Sequence, residues 1–257
     1  MATALITGAT GLIGRSVLQL WPAGELEPVV VDRAHDDLLV SGTPTSLVER
    51  HRPAVVVHLA WCASGTLDYR RAADNARWVR ASRELADAAG AVGAQAFFTG
   101  TALDSTEGID AYSAAKAQLR ATLTAEVRRG QLTWLRPFYV VSPRARRPAV
   151  VAEALRAAGA DEPVSLRTPD SAHDFIHADD VGHAVVASVQ HQLQGTVDIG
   201  TGVLRSVQQL VEALGARAAH ELHPGPEVPH HHDVADTAAL AAVGWRPTLT
   251  EELFRHV

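Results

Sequence analysis

The chain has 257 residues, of which 47% are hydrophobic and 20% are charged, so its composition is that of a globular protein with a sizeable core. A net charge of −6 at pH 7 argues against a protein that binds nucleic acid or an anionic membrane. No apolar run approaches the length of a membrane-spanning helix, and the first residues have the pattern of a strand rather than of a signal peptide. Cys62 is the single cysteine, so an internal disulfide bond is excluded and we expect a cytoplasmic protein.

Short apolar segments alternate with longer segments of helical periodicity. The predicted strands are 4–7, 28–32, 54–59, 95–99, 132–136 and 196–199, and the predicted helices are 12–20, 45–50, 68–89, 112–129 and 180–190. Alternating helices and wholly apolar strands predict an α/β fold, with a parallel sheet covered on both faces.

The alternation is interrupted between residues 142 and 177 and again after residue 200. We therefore predict a main domain formed by 1–141 and 178–200. The segments 142–177 and 201–257 are predicted to form a small lobe over the carboxyl edge of the sheet, where ligands of such folds bind.

Three glycines, Gly8, Gly11 and Gly14, separate the first predicted strand from the first predicted helix. Backbone amides and the helix dipole at such a position can hold a pyrophosphate. Asp32, at the end of the second predicted strand, is placed to accept the hydroxyls of an adenosine ribose. The pattern predicts a dinucleotide site, with a purely structural turn as the alternative.

The residues around Asp32 bear on the choice of dinucleotide. Asp32 favours NAD, because a carboxylate repels the 2′-phosphate of NADP. Arg33 keeps NADP as an alternative, since a guanidinium can pair with that phosphate or stack on adenine. Asp37 is near a predicted short third strand, and it either reaches the adenine or is a solvated loop acid.

Tyr112 and Lys116 are four residues apart at the start of a predicted helix and therefore share a face. A phenol has a pKa of about 10, and both an ammonium and an oxidised nicotinamide favour the phenolate. Such a tyrosine can exchange a proton with a carbonyl or alcohol oxygen while a hydride moves. Thr101, just after a predicted strand, can orient that oxygen. Taken alone, Tyr112 and Lys116 would also suit an ordinary amphipathic helix, and Thr101 would also suit a turn.

The order of these motifs along the chain resembles that of the extended short-chain dehydrogenases/reductases, more narrowly the NAD-dependent epimerase/dehydratase group that acts on nucleotide sugars. The resemblance extends to Asn75 and to the segments HLA (58–60), LRP (135–137), HDFIHADDV (173–181), DIGTG (198–202) and VGWRP (243–247). It implies a Rossmann-type, doubly wound parallel sheet with a small C-terminal substrate-binding lobe. It also implies that Thr101, Tyr112 and Lys116 are catalytic.

The resemblance further implies which residues contact the cofactor and the substrate. The cofactor residues, for NAD or alternatively NADP, are Gly8, Thr10, Gly11, Leu12, Ile13, Asp32, Arg33, Asp37, Leu38, Leu59, Ala60, Trp61, Asn75, Thr99, Tyr112, Lys116, Pro137 and Phe138. The substrate residues are Cys62, Thr101, Tyr139, Arg144 and His173, although Cys62 would equally suit core packing. No metal site is predicted, because the consecutive His230, His231 and His232 have a poor spacing for one tetrahedral ion.

Several positions depart from the pattern of the resembled family. His173 replaces an arginine, so a cation expected near the segment 173–181 is missing, and Tyr139 replaces an asparagine. The basic loop with Arg144, Arg146 and Arg147 is predicted to supply that charge, with a solvated loop as the alternative. The segment from Thr101 to Tyr112 is unusually short, which should open the site. Ala102-Leu103 also replaces the Asp-Glu pair of the sugar 4,6-dehydratases, so dehydration has no evident catalyst.

The sequence therefore predicts an NAD(P)H-dependent reductase of a nucleotide-activated keto-deoxysugar, most naturally at the 4-keto position. A nucleotide-sugar 4-epimerase with retained NAD is the alternative, and a non-catalytic dinucleotide sensor is a third, which the Tyr112/Lys116 pair disfavours. The resemblance also implies a homodimer built on the helices 68–89 and 112–129. Apolar residues at helical spacing on these helices agree with it: Trp78, Leu85, Ala89, Ala115, Leu119 and Leu123.

Overall fold

The computed structural model describes residues 2–24, 26–62, 73–105, 110–144, 149–220 and 234–255. The strands are β1 (Ala2–Thr7), β2 (Leu26–Val30), β3 (Val55–His58), β4 (Gln95–Thr99), β5 (Leu132–Pro137), β6 (Tyr139–Val141), β7 (Pro163–Leu166), β8 (Ala172–His173), β9 (Phe175–His177), β10 (Gly195–Ile199), β11 (Arg205–Ser206) and β12 (Arg217–His220). The helices are α1 (Leu12–Leu20), α2 (Thr43–His51), α3 (Asp74–Ala91), α4 (Ala111–Thr122), α5 (Thr124–Arg128), α6 (Ala149–Ala160), α7 (Ala178–Gln190), α8 (Val207–Ala213), α9 (Ala238–Ala242) and α10 (Thr248–Leu253).

The central sheet has six strands in the order β2-β1-β3-β4-β5-β10, and all neighbours are parallel. The chain moves outward from β1 to β2 and then returns to the other side of β1 for β3. The strand order therefore reverses between β1 and β3, and in doubly wound sheets ligands bind in the crevice at that point. The predicted Rossmann-type fold is confirmed.

Both faces of this sheet are covered by helices. On one face Leu5 and Phe98 pack with residues of α2, α3 and α4, and on the other face Ile6 and Phe97 pack with residues of α1, α7 and α9. This double burial explains why the inner strands β1, β3, β4 and β5 are mostly apolar without alternation. No helix within the described ranges combines the length and apolar character needed to cross a bilayer.

Three further strand pairs lie outside the central sheet: β6 with β9, β7 with β12, and β8 with β11. Val164 and Leu166 of β7 form a separate small core with residues of α6 and α8. Leu240 and Trp245, however, pack against the central sheet, although the sequence places them in the small lobe. The segment after residue 234 thus contributes to both parts, and the division into two domains stays a prediction.

Two details of the predicted elements are wrong. The helix predicted over 112–129 is interrupted at Leu123, between α4 and α5. The predicted short third strand near Asp37 is replaced by turns, because the carboxylates of Asp32 and Asp37 accept hydrogen bonds from backbone amides two residues on, at Ala34 and Leu39. The start of the helix predicted over 68–89 lies outside the described residues up to residue 72.

The apolar residues that suggested a dimer face lie inside the protomer. Trp78, Leu85, Ala89, Ala115, Leu119 and Leu123 all belong to the core cluster under the sheet. The exposed positions of α3 include Arg77, Arg80 and Asp87, and those of α4 include Ala114 and Gln118. These apolar residues therefore give no support to a dimer.

Candidate active site

The glycine loop closes against the neighbouring strand at the point of reversal. Gly8 has φ +72°, and a Cβ atom on it would stand 2.5 Å from the amide nitrogen of Ala60. A Cβ atom on Gly14 would collide with the carbonyl oxygen of Gly8, to which the amide of Gly11 donates a hydrogen bond of 2.9 Å. Both positions thus require glycine for packing as well as for the turn.

The N-terminus of α1 is suited to an anion. Gly11 is the residue before the helix, and no side chain in the described part of the chain caps the amides that follow it. Unpaired amides and the helix dipole together attract a phosphate. Thr10, Leu12 and Ile13 lie at this end of the helix. The loop therefore fits the pyrophosphate of a dinucleotide.

A buried polar chain lies under the reversal point. The Nδ1 atom of His58 is 2.7 Å from the hydroxyl of Thr7, and its Nε2 atom is 2.8 Å from the hydroxyl of Ser82. Burial, with the charge of Lys116 as a smaller cause, lowers the pKa of His58 to about 3, so its imidazole is neutral. The Thr7 hydroxyl also accepts the Ala60 amide at 3.3 Å, which fixes the backbone at Leu59 and Ala60.

Asp32 lies two residues after β2 and is exposed. Its carboxylate accepts the Ala34 amide at 3.0 Å and lies 2.8 Å from Nδ1 of His35. The Ala34 amide, and secondarily His35, hold its pKa below the ordinary value, so it is ionised at neutral pH. Arg33 is also exposed, whereas Leu38 is buried in the core cluster.

The three predicted catalytic residues lie around the end of β4. Lys116 donates from Nζ to the carbonyl oxygen of Thr99 at 2.7 Å and is only 2% exposed. Burial lowers its pKa to about 7, and the charge of Asp104 opposes this effect. Thr101 follows β4 by two residues and is buried. Tyr112 is one turn before Lys116 in α4.

The start of α4 is fixed by Asp110, whose carboxylate accepts hydrogen bonds from the amide of Ser113 at 2.7 Å and from its hydroxyl at 2.9 Å. A cap of this kind determines where the helix begins and therefore which face carries Tyr112 and Lys116.

Asp104 is a buried acid that sequence reasoning missed. It lies in a short 3-10 helix, Ala102–Ser105, directly after Thr101. Its carboxylate accepts hydrogen bonds from Arg120 at 2.9 Å and from the indole nitrogen of Trp134 at 2.7 Å. These contacts hold the segment after Thr101 in place. The acid is thus engaged in structure and does not restore the missing pair of the dehydratases.

Trp61 and Asn75 lie beside the lysine. The indole nitrogen of Trp61 donates to the side-chain oxygen of Asn75 at 2.8 Å, and the Lys116 nitrogen is 3.8 Å from the centre of the indole ring. Cys62 is half-buried and packs against the core cluster, which agrees with the alternative that this cysteine serves core packing.

The predicted substrate residues fall into two groups. The Tyr139 ring stacks on His173 with centroids 3.9 Å apart, next to Pro137 and Phe138 at the end of β5. Arg144, by contrast, forms an ion pair with Asp179, which also accepts a hydrogen bond from the hydroxyl of Ser16. Arg146, Arg147 and the three consecutive histidines, 230–232, lie outside the described residues.

The sequence analysis also does not identify a cation that lies near His173. Arg205 of β11 pairs directly with His173 of β8 in an antiparallel register, and its guanidinium carbon is 4.4 Å from the centre of the Phe254 ring. Within the described residues no carboxylate oxygen comes within ion-pair distance of it. Burial lowers its pKa, while the charges of Asp174 and Glu251 oppose this. Arg205 and His173 are far apart in the sequence, so no local pattern indicates that their strands pair.

Comparisons with known proteins agree with this fold. The chain is similar to the dTDP-4-dehydrorhamnose reductase of Streptomyces griseus, with 36% identity over 91 residues, which is 35% of this chain and 30% of that protein. The match thus spans less than a third of the relative.

Solved structures resemble the chain over almost its full length. The UDP-glucose 4-epimerase of Thermus thermophilus, in complex with NAD, has a TM-score of 0.72 and 23% identity, covering 99% of both chains. The dTDP-4-dehydrorhamnose reductase of Clostridium acetobutylicum has a TM-score of 0.75 and 15% identity, covering 98% of both. At these identities the likeness shows the fold alone. The NAD dependent epimerase/dehydratase family matches residues 4–200, which is most of the sequence, and the chain belongs to this family.

Proposed function

We propose that the protein is an NAD(P)H-dependent reductase of the 4-keto group of a nucleotide-activated deoxysugar. The observation that carries this proposal is the buried Lys116, which donates to the Thr99 carbonyl two residues before Thr101 and lies 6.0 Å from the centre of the Tyr112 ring. The buried Asp104, engaged with Arg120 and Trp134, leaves no described acid for a dehydration next to Thr101. The reductase match in Streptomyces griseus points in the same direction.

Each residue has a distinct task in this mechanism. The Thr101 hydroxyl donates a hydrogen bond to the keto oxygen and orients it toward Tyr112. The Tyr112 phenol then gives its proton to that oxygen, and the Lys116 ammonium stabilises the phenolate that remains. When bound, the nicotinamide of NAD(P)H supplies the hydride. The glycine loop would hold the pyrophosphate of the dinucleotide, and Asp32 would hold its adenosine ribose.

Arg205 is our candidate for the diphosphate of the nucleotide sugar. A half-buried guanidinium without a carboxylate beside it is costly unless an anion binds there. Among the described residues, Arg205 is such a guanidinium. Its strand partner His173 stacks on Tyr139, which follows the end of β5. The ion pair of Arg144 with Asp179 makes Arg144 the weaker candidate.

The experiment is a turnover assay with the purified protein. NADH or NADPH is added with a nucleoside-diphosphate 4-keto-6-deoxysugar, and loss of the reduced cofactor is followed together with formation of the alcohol. We expect one cofactor to be consumed for each product molecule formed, at a rate at least about a hundredfold lower with the Tyr112→Phe variant. A protein that consumes no added cofactor and reduces no keto sugar would contradict the proposal.

A nucleotide-sugar 4-epimerase is the second candidate, because the same three side chains serve both reactions and solved epimerases share this fold. It is recognised by NAD that stays bound through purification and by interconversion of two sugar epimers without net use of cofactor.

A further inference from the structure

Lys116 is the only lysine in the chain, whose other side-chain cations at neutral pH are arginines. It is almost completely buried, and four elements besides its own helix α4 surround its nitrogen. The Thr99 carbonyl of β4 accepts its hydrogen bond, and Tyr112 lies on its own helix with the ring centre 6.0 Å from the nitrogen. Among the residues that the structure describes, the other titratable groups whose charge or burial is coupled to it are His58 of β3 and Asp104 of the 3-10 helix.

The fourth element is the segment after β3, which contributes Trp61. Three contacts fix the indole ring in front of the lysine nitrogen. Its nitrogen donates to Asn75, its face stacks on Trp78 with centroids 5.9 Å apart, and it meets Tyr112 edge-on at 6.2 Å. Asn75 and Trp78 both belong to α3, so this helix determines where the ring lies.

Burial alone favours the neutral amine, because a charge loses its hydration. The face of an indole ring attracts a cation, more strongly so where water is excluded. The lysine nitrogen lies 3.8 Å from the ring centre, well inside the range of such a contact. We propose that Trp61 is a positioning residue whose indole face holds the Lys116 ammonium at the end of β4 and keeps it protonated.

This inference deepens the proposed function, since the ammonium is the group that stabilises the Tyr112 phenolate. It can be tested without substrate, so its failure is distinguishable from a failure of the reductase assignment. With lysine isotope-labelled at its side-chain nitrogen, the protein gives a single lysine signal, and its chemical shift against pH reports the Lys116 pKa directly.

The tryptophans are then replaced biosynthetically by monofluorinated and difluorinated tryptophan, which weaken the negative face of the ring with little change in size. We expect the Lys116 pKa to fall stepwise, by about one unit over the series. The chain has five tryptophans, and the matched control is the same series in Trp61→Leu, where the other four carry the fluorine. No stepwise fall is expected in that control.

A Lys116 pKa that stays constant in the wild-type series would overturn the proposal, as would equal steps in the Trp61→Leu series. If Trp61→Leu does not fold, Trp61→Phe takes its place, since its phenyl ring carries no fluorine in this labelling. A direct comparison of wild type with either variant is not the test, because a smaller side chain also admits water and thereby raises the pKa.

Discussion

Gly8 at the end of β1 is packed against the backbone of Ala60, just past the end of β3, so closely that no side chain fits between them. The two strands are neighbours in the sheet, and the strand order reverses between them. The tight contact therefore sets the width of the crevice in which the dinucleotide is expected to bind.

Gly8→Ala tests this contact. The new methyl group would meet the Ala60 backbone at a positive φ, so we expect the free energy of unfolding to fall by about 2 kcal/mol or more and NADH binding to weaken at least tenfold. Gly42→Ala is the control, since Gly42 has φ +87° but no described atom within 4 Å of the new Cβ. It should lose only about 1 kcal/mol and keep its NADH affinity. Equal effects in denaturant unfolding and fluorescence titration would refute the steric argument.

Tyr112→Phe removes the proposed proton donor and leaves the ring. We expect kcat to fall by about 10²–10⁴-fold, because a positioned acid is lost. The dissociation constant for NADH should be nearly unchanged, since Lys116 keeps its contact with Thr99. A variant that retained most of its kcat would exclude Tyr112 as the acid.

Asp32 leads us to predict a higher kcat/KM with NADH than with NADPH. The carboxylate is ionised and exposed beyond β2, where a 2′-phosphate would be repelled. Asp32→Asn should lower the ratio of kcat/KM with NADH to kcat/KM with NADPH. Asp36→Asn should leave this ratio unchanged, because Asp36 is paired with Arg50 instead. Steady-state kinetics with both cofactors decides. A wild-type enzyme that prefers NADPH would mean that Arg33 dominates.

The neutral His58 predicts a loss of stability in acid. Its pKa is about 3 in the folded protein and about 6.5 in an unfolded chain, so between these values the unfolded chain binds the extra proton. Stability must therefore fall as the pH drops from 6.5 to 3, by up to about 1.4 kcal/mol per pH unit.

Urea unfolding at several pH values measures this slope. In His58→Asn the contribution should be absent, because an amide does not titrate there. Identical pH dependence in the two proteins would show that other groups cause the acid loss.

The inner strands of the sheet could be predicted from the sequence because they are buried on both faces and so appear as apolar runs. Predicted strand ends are correct to within about two residues, and α1 agrees with its prediction. The glycine loop and the Tyr112/Lys116 pair could be predicted because their spacing is local. The break at Leu123 depends on backbone hydrogen bonds, and the turns after Asp32 depend on bonds to the Asp32 and Asp37 carboxylates; periodicity reveals neither.

Contacts between distant segments could not be predicted in this way. Asp104 meets Trp134 only because β4 and β5 are neighbours in the sheet. An apolar helical position likewise does not say which surface it covers, so Leu119 and Trp78 suggested a dimer although they pack against the sheet. The homodimer stays a prediction from the family resemblance.

Two sets of arginines are candidates for the positive charge that would bind the diphosphate of the substrate. The sequence places it in the loop of Arg144, Arg146 and Arg147, but Arg144 is already paired with Asp179. Arg205 lies opposite His173, and Asp174, the first of the two acids whose charges act on it, is engaged with Thr201 and with the amide of Gly202. Arg205 therefore keeps its charge available.

Arg205→Gln should raise KM for the nucleotide sugar at least tenfold, equivalent to about 1.4 kcal/mol of lost binding, and should leave the NADH dissociation constant unchanged. Arg144→Gln is the matched control. Its KM is expected to stay within about twofold of the wild-type value, because the Arg144 guanidinium is already paired with Asp179. Thermal unfolding of both variants separates a binding effect from a loss of structure. The reverse result, a raised KM in Arg144→Gln alone, would return the diphosphate contact to the loop after β6. It would also require the ion pair with Asp179 to open when substrate binds.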